Sequence, residues 1–281
     1  MKMSSAFNRK LLVIGIGAQK TGSSWLSHFL KSHQDVYSSS IKEMHYFQYY
    51  KLGGTWPNSY FQRRLQQLHL CEELSSFQQR QIHDLVERVK MDGSVSAYKK
   101  FYERRISNES VYCDFTPAYS MLPVTELIRI RENFDRVKLV FVMRNPAERF
   151  WSQMRFSERA LTEENVDDLL GLCISNPEYI KRSDYKSTLD RTFSVFNKED
   201  VFVEFYENLF SETAIERLCN FIGISFTAPD LKKRRNKAGS LPMLSHQRRR
   251  LVETLDRQYR EVHRLYINKL PNNWKLDMEQ I

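Results

Sequence analysis

LLVIGIGAQKTGSSWLSHFLKS, residues 11–32, carries two periodicities with a glycine-bearing turn between them. Leu11–Gly17 is a continuous apolar run of the kind buried on both faces of a parallel sheet, and 23–32 places apolar residues at helical spacing. The stretch therefore reads as strand, turn and helix. At such a junction glycines let successive backbone N–H groups point inward, and the helix start adds partial positive charge. Lys20 supplies a full charge. The turn is a candidate anion cradle.

The same alternation continues outward. A short strand is expected at Val36–Ser38, followed by a polar turn holding Lys42-Glu43-Met44-His45-Tyr46-Phe47. Residues 59–91 carry a helical pattern, with Leu65, Leu68, Leu74, Ile82, Leu85, Val86 and Val89 as core candidates. Val111–Phe115 reads as a strand broken at Pro117, Val124–Asn133 as an amphipathic helix, and Val137–Met143 as a second strongly apolar strand. Pro146 suits the first turn of a helix running through Trp151 and Phe156. Val201–Phe205 reads as a further strand, 211–222 as a helix, and 245–268 as one long helix with Leu251, Leu255, Tyr259, Val262, Leu265 and Tyr266 on one face. Strands alternating with helices predict the α/β class, a central parallel sheet joined by crossover helices. One domain over residues 1–281 is expected, with 1–10 a flexible N-terminal segment, because no repeat, Gly/Ser linker or low-complexity tract interrupts the pattern.

A chain of 281 residues with 41% apolar content can bury a full core, and its formal charge of +9 attracts anions of many kinds. The four cysteines, Cys71, Cys113, Cys173 and Cys219, form no CxxC pair, which argues against a zinc site or a disulfide scaffold and for reduced thiols in a cytoplasmic setting. Lys2, Arg9 and Lys10 before the apolar run imitate a signal peptide, but the run is short and leads into Gln19-Lys20-Thr21 instead of a cleavage site. No stretch of 18 apolar residues is present, so no membrane span is expected. The basic runs at 232–235 and 248–250 read as solvated faces; a non-enzymatic polyanion-binding protein would instead use them as its binding surface. No helix-turn-helix, zinc-finger or RNA-binding signature accompanies them, so nucleic acid is not the expected partner.

Gly17-x4-Gly22 has the glycine spacing of a Walker A loop, yet Ser23 stands where that loop carries its lysine. Ordinary nucleoside triphosphate hydrolysis is thereby disfavoured, and a nucleotide kinase remains as a rival. Gln19-Lys20-Thr21-Gly22-Ser23-Ser24-Trp25 resembles the 5′-phosphosulfate loop of the sulfotransferases that use 3′-phosphoadenosine 5′-phosphosulfate (PAPS), a pattern of the form K-x-G-[ST]-[ST]. The resemblance implies that Gln19, Lys20, Thr21, Gly22, Ser23 and Ser24 hold the donor's 5′ end. In the cytosolic branch a tryptophan at the place of Trp25 stacks on the adenine; core packing at the helix start is the equal alternative.

A protein that selects PAPS needs a second anion site for its 3′-phosphate, and an arginine fork with a nearby hydroxyl suits that group. Met143-Arg144-Asn145-Pro146-Ala147-Glu148-Arg149-Phe150-Trp151-Ser152 offers both. It resembles the family's 3′-phosphate segment, with arginine and serine eight positions apart and an R-x-P-x-x-R pattern that Arg149 also fits. Arg144 and Ser152 are the residues so implied. Each is also unremarkable alone, as a strand-end arginine and a helix serine.

Transfer of a sulfonate requires alignment of acceptor, sulfur and leaving oxygen, and neutralisation of charge growing on the leaving phosphate. Lys20 is the natural candidate for that charge. The donor sulfonate is singly charged, so no metal is expected to be required, and PAP is the expected product. KEMHYF at 42–47 resembles the KE-x-HFF stretch of the Golgi heparan sulfate sulfotransferases, in which the glutamate is taken as the base. That match implies Glu43 as general base with Lys42 as companion. His45 is the second candidate, since the cytosolic branch uses a histidine, though not in this segment; a packed histidine and a surface Glu43–Lys42 ion pair are the structural alternatives. Asp114-Phe115-Thr116-Pro117-Ala118-Tyr119 resembles a family segment [DE]-x-[ST]-P-x-Y, whose Thr116 would line the acceptor cleft unless the segment is only a strand end held by Tyr119. Asn236-Lys237-Ala238-Gly239-Ser240 stands where relatives carry a basic loop over the donor, and Lys237 is its candidate 3′-phosphate contact, although the usual KGR wording is absent. The acceptor, a small molecule or glycan bearing a hydroxyl or an amine, is left open, as is the oligomeric state.

Overall fold

The computed structural model describes residues 5–48, 56–158, 161–231 and 241–280. Five parallel strands, β1 (Leu11–Gly17), β2 (Val36–Ser38), β3 (Val111–Phe115), β4 (Val137–Met143) and β5 (Val201–Phe205), form one sheet in the order β2-β3-β1-β4-β5. All five lie at the expected positions; β1, β3, β4 and β5 are buried almost throughout and are written as largely hydrophobic segments, while β2 is short and buried only at Val36.

Successive side chains of a strand point to opposite faces. Leu12, Ile14 and Ile16 of β1 and Leu139, Phe141 and Met143 of β4 join one core cluster, while Leu11, Val13, Val140 and Val142 join the other. The second face is covered by the helices Ser23–Lys31 and Glu212–Ile222 through Leu26, Phe29, Leu30, Ile215, Leu218 and Ile222. The first carries the helices Val124–Asn133, Pro146–Ser157, Tyr185–Phe193, Ser245–Thr254 and Asp256–Tyr266. Gly15 is required by the sheet itself, since a Cβ there would lie 2.2 Å from the Phe115 ring of β3. Near the N-terminus Phe7 is buried with its ring 5.2 Å from that of Tyr112.

Several helices differ from the sequence expectation. The pattern over 59–91 divides into Trp56–His69 and Ser76–Lys90, the second opened by a capping box between Ser75 and Gln78. Leu65 is only partly buried, whereas Leu68 and Leu85 are core residues. A helix at Val95–Glu103, capped by Ser94, was not expected. The C-terminal helix is two, Ser245–Thr254 and Asp256–Tyr266, with Leu255 between them. The expected face stays buried through Leu251, Leu255, Tyr259 and Val262, whereas Leu265 is 47% exposed. All four cysteines are free, with Cys71 exposed and the others buried. Among the described residues no helix is long and apolar enough to cross a membrane, and no cluster of His, Cys, Asp and Glu is placed to hold a metal ion.

Candidate active site

In an open parallel sheet the crevice for ligands lies beyond the carboxyl ends of the strands, where the strand order reverses. Here the order reverses around β1, so its neighbours β3 and β4 bring their following loops beside the 17–25 turn. The amide of Ala18 donates to Val142 O at 2.8 Å, tying the start of that turn to the end of β4. One residue beyond β4, Arg144 reaches back and donates from Nη1 to the carbonyl of Lys20 at 3.1 Å. The two expected anion anchors thus form one rim.

Lys20 has φ 68°, a left-handed conformation uncommon for a residue with a Cβ. The bond from Arg144 to its carbonyl helps to hold it there. Its ammonium lies 4.0 Å from the centroid of the Phe156 ring, which is itself 65% exposed. Burial lowers the Lys20 pKa to about 8, aided by the positive charges of Arg144, Lys42 and Arg155 and opposed by Glu43. Four cations therefore face one loop. Such a group of like charges is stabilised by an anion.

Within the turn, Gly22 has φ 84° and a Cβ there would press on Phe210, Leu209 and Tyr206, so glycine is demanded twice over. It caps the helix Ser23–Lys31 without a side chain, and Gln19, Ser23 and Ser24 are partly exposed beside it. Thr21 is buried, its hydroxyl donating to Ala18 O at 2.7 Å; it braces the turn. Trp25 is 6% exposed, packs on Phe29 and Phe210, and donates its indole N–H to Asp230 O at 3.3 Å. Core packing at the helix start, one of its two alternatives, is present.

The KEMHYF segment follows β2 and is fixed from beneath. Asp114 of β3, fully buried, accepts from Thr116 Oγ1 at 2.6 Å and Tyr119 Oη at 2.9 Å. Burial raises the Asp114 pKa and those two hydrogen bonds oppose the rise. Tyr119 Oη then accepts from the amide of Tyr46 at 2.7 Å, and Thr116 Oγ1 from that of His45 at 3.4 Å. From the other side the buried Arg88 donates to Met44 O at 2.9 Å and His45 O at 3.3 Å, with its guanidinium over the rings of Tyr46 and Phe61. Thr116 is therefore an interior brace of the KEMHYF turn and does not line a cleft.

Above this brace, Glu43 Oε1 accepts from Lys42 Nζ at 2.6 Å and Oε2 lies 3.3 Å from His45 Nε2. Burial pushes the Glu43 pKa up, but the His45 hydrogen bond and the Lys42 charge outweigh it and hold the carboxyl at about 2. His45 Nδ1 lies 2.9 Å from Gln48 Oε1, whose amide nitrogen donates to Ala118 O. Both ring nitrogens of His45 thus face oxygen acceptors, a poor setting for removing a proton from an acceptor.

On the helix Pro146–Ser157, residues 148, 152, 155 and 156 share one side by helical spacing. Ser152 is nearly buried, two turns beyond Arg144. Arg155, which the sequence reading missed, belongs to the cation group around Lys20; its signal was the i, i+3 spacing from Ser152. Arg144 also lies over the Tyr206 ring at 4.5 Å, just after β5, and donates to Glu148 at 3.3 Å. Arg149 points away from the site: it is fully buried, donating to Ser183, Gln153 and Tyr179 O at 2.6–2.7 Å, and burial lowers its pKa to about 10. Lys237 and the basic run at 232–235 lie outside the described residues.

Comparison with known proteins agrees with this geometry. A family model described as "Sulfotransferase family" matches residues 13–228, more than half of the chain. The chain belongs to the sulfotransferase family. The matched span of this sulfotransferase runs from β1 through β5 and includes the turn, KEMHYF and Arg144–Ser152. A sulfotransferase from Alicyclobacillus acidocaldarius has a similar structure, with a TM-score of 0.65 at 18% identity over 95% of this chain and 99% of that one. The sulfotransferase domain of the Synechococcus PCC 7002 olefin synthase is similar at a TM-score of 0.50 and 17% identity, covering 78% of this chain and 74% of that one. At such identities the likeness is one of fold. No curated protein matches the sequence significantly.

Proposed function

We propose that this sulfotransferase uses PAPS as donor and transfers its sulfonate to a hydroxyl or amine acceptor by in-line displacement. The observation that carries the reading is the hydrogen bond from Arg144 to the Lys20 carbonyl, which joins a 5′-side cation and a second anion anchor on one rim. A donor with phosphates at both ends of its ribose suits two such anchors.

In this mechanism Lys20 faces the 5′ leaving oxygen and offsets the negative charge that grows there as the sulfur–oxygen bond breaks. Arg144 and Ser152 hold the 3′-phosphate, with Lys237 a further candidate for that contact. The partly exposed Gln19, Ser23 and Ser24, with the backbone of Thr21 and Gly22, surround the 5′ end. The acceptor oxygen forms its bond to sulfur while its proton passes to Glu43 Oε1, where Lys42 must first give way. Lys42 then remains beside the reacting group as a companion cation. His45 orients Glu43 through the contact at Oε2.

The test is binding and turnover with purified protein. PAP is expected to bind in the presence of EDTA, and PAPS to yield an acceptor heavier by one sulfonate in mass spectrometry across a panel of alcohols, phenols, amines and glycans. Binding of ATP but not of PAP or PAPS would overturn the reading in favour of a phosphotransferase.

A further inference from the structure

Arg144 is the first member of a chain of charges that runs from the site rim to the C-terminal helix. Glu148 Oε2 accepts from Arg144 Nη2 at 3.3 Å, and the other oxygen of the same carboxylate, Oε1, accepts from Arg248 Nη1 at 2.8 Å. Arg248 turns its remaining donors on Asp277, with Nε to Oδ1 at 2.7 Å and Nη2 to Oδ2 at 3.1 Å. Asp277, 1% exposed, also accepts from Asn145 Nδ2 at 2.6 Å and Tyr259 Oη at 2.9 Å. Asn145 in turn caps the helix that carries Glu148 and Ser152, its side chain accepting from the amide of Glu148 at 3.1 Å. The signs alternate along the chain. Of the run at 248–250, Arg248 alone is turned inward, while Arg249 and Arg250 are exposed.

We infer that Arg248 is a positioning residue for the donor site, acting through Glu148 on Arg144. A carboxylate bonded to the arginine that must receive a phosphate dianion works against that binding, by repelling the phosphate and by holding one fork of the guanidinium. Arg248 offsets the first effect: it neutralises Glu148 and anchors Oε1 on the side away from Arg144. Without it, a full negative charge a few ångströms from the phosphate lowers affinity roughly tenfold to a hundredfold at the effective dielectric of a protein rim. Asp277 fixes Arg248 in place with two parallel bonds, a geometry that lysine cannot reproduce.

The inference rests on the proposed role of Arg144 as the 3′-phosphate anchor, and the experiment separates the two. Affinities for PAP and for adenosine 5′-phosphate, which lacks the 3′-phosphate, are measured by calorimetry on the full chain. R248M is expected to weaken PAP at least roughly tenfold while adenosine 5′-phosphate changes less than about twofold. D277N/R248M, which leaves no buried carboxylate stranded, shows the same selective loss if R248M alone folds poorly. E148Q/R248M returns PAP affinity to within about threefold of the wild type, because the unneutralised carboxylate is gone. Equal losses for both ligands, or undiminished PAP affinity in both R248M and D277N/R248M, overturn the positioning role. A wild-type protein that binds the two ligands equally, or an R144A variant that keeps the preference for PAP, overturns the donor reading instead.

Discussion

The lowered pKa of Lys20 makes donor binding sensitive to pH in a range where little else in the site changes. With its ammonium at about 8 against an ordinary 10.5, Lys20 loses charge as pH rises through 8. It is about nine-tenths charged at pH 7 and roughly 3% charged at pH 9.5. PAP affinity is therefore expected to be flat up to about pH 7.5 and to fall roughly thirtyfold by pH 9.5, with a slope approaching one decade per pH unit. The ligand's own phosphates have lost their second proton near pH 6 and contribute no change there. Arginine keeps its charge, so Lys20→Arg removes the inflection, while Lys20→Met binds weakly at every pH. Fold stability moves in the opposite direction. Between the folded value of about 8 and the unfolded 10.5, the unfolded chain holds the extra proton, so the Lys20 contribution to stability rises with pH across that window. A melting temperature that holds or climbs while affinity falls excludes alkaline unfolding as the cause. Titration calorimetry from pH 6.5 to 9.5 at constant ionic strength reads the effect, and an inflection near pH 8 that persists in Lys20→Met would refute the reasoning.

Three further outcomes are expected. Glu43→Gln lowers kcat by about a hundredfold or more and leaves PAP affinity within a factor of about two, as for loss of a general base; wild-type turnover in that variant together with an inactive His45→Ala would move the base to His45. Lys42→Met removes an ion pair that holds Glu43 at about 2, so the acid limb of the kcat/KM profile moves upward toward the ordinary carboxylate range, and a limb that stays put shows that another group titrates. Arg88→Met strips two charge-assisted hydrogen bonds from the KEMHYF carbonyls and lowers stability by roughly 2–4 kcal/mol in urea unfolding, with kcat falling more than donor affinity; unchanged stability would show that the segment is held elsewhere.

Three strands were legible as local apolar runs closed by a breaker, as Gly17, Pro117 and the Arg144-Asn145-Pro146 bend show. Their order was not, since pairing β1 between β3 and β4 joins segments about a hundred residues apart. That order is what brings three motifs to one crevice. The capping box at Ser75 and Gln78 was readable but lay inside a continuous helical pattern that masked it. No Gly or Pro around Leu255 punctuates the chain, so the break there was not legible. Asp114, Thr116 and Tyr119 were visible as a motif, yet their service as a brace depends on hydrogen bonds to backbone amides some seventy positions away. Arg248 was hidden for the opposite reason: within a run of three arginines, sequence does not say which one turns inward.

The resting arrangement ties three cations of the site to partners that the reaction can displace. Arg144 is held by Glu148, Lys42 by Glu43, and Lys20 rests over the Phe156 ring. None of these is a closed, buried ion pair, which would resist exchange. In the proposed reaction their order of release follows from charge. A polyanionic donor competes first for the cations around Lys20, and any pull it exerts on Lys42 loosens the bond at Glu43 Oε1. The carboxylate held at about 2 then becomes more basic at the moment when an acceptor proton has to be taken. On the proposed mechanism, the same ion pair that makes Glu43 a weak base in the free protein couples its activation to the arrival of the donor. That coupling favours an acceptor that enters second.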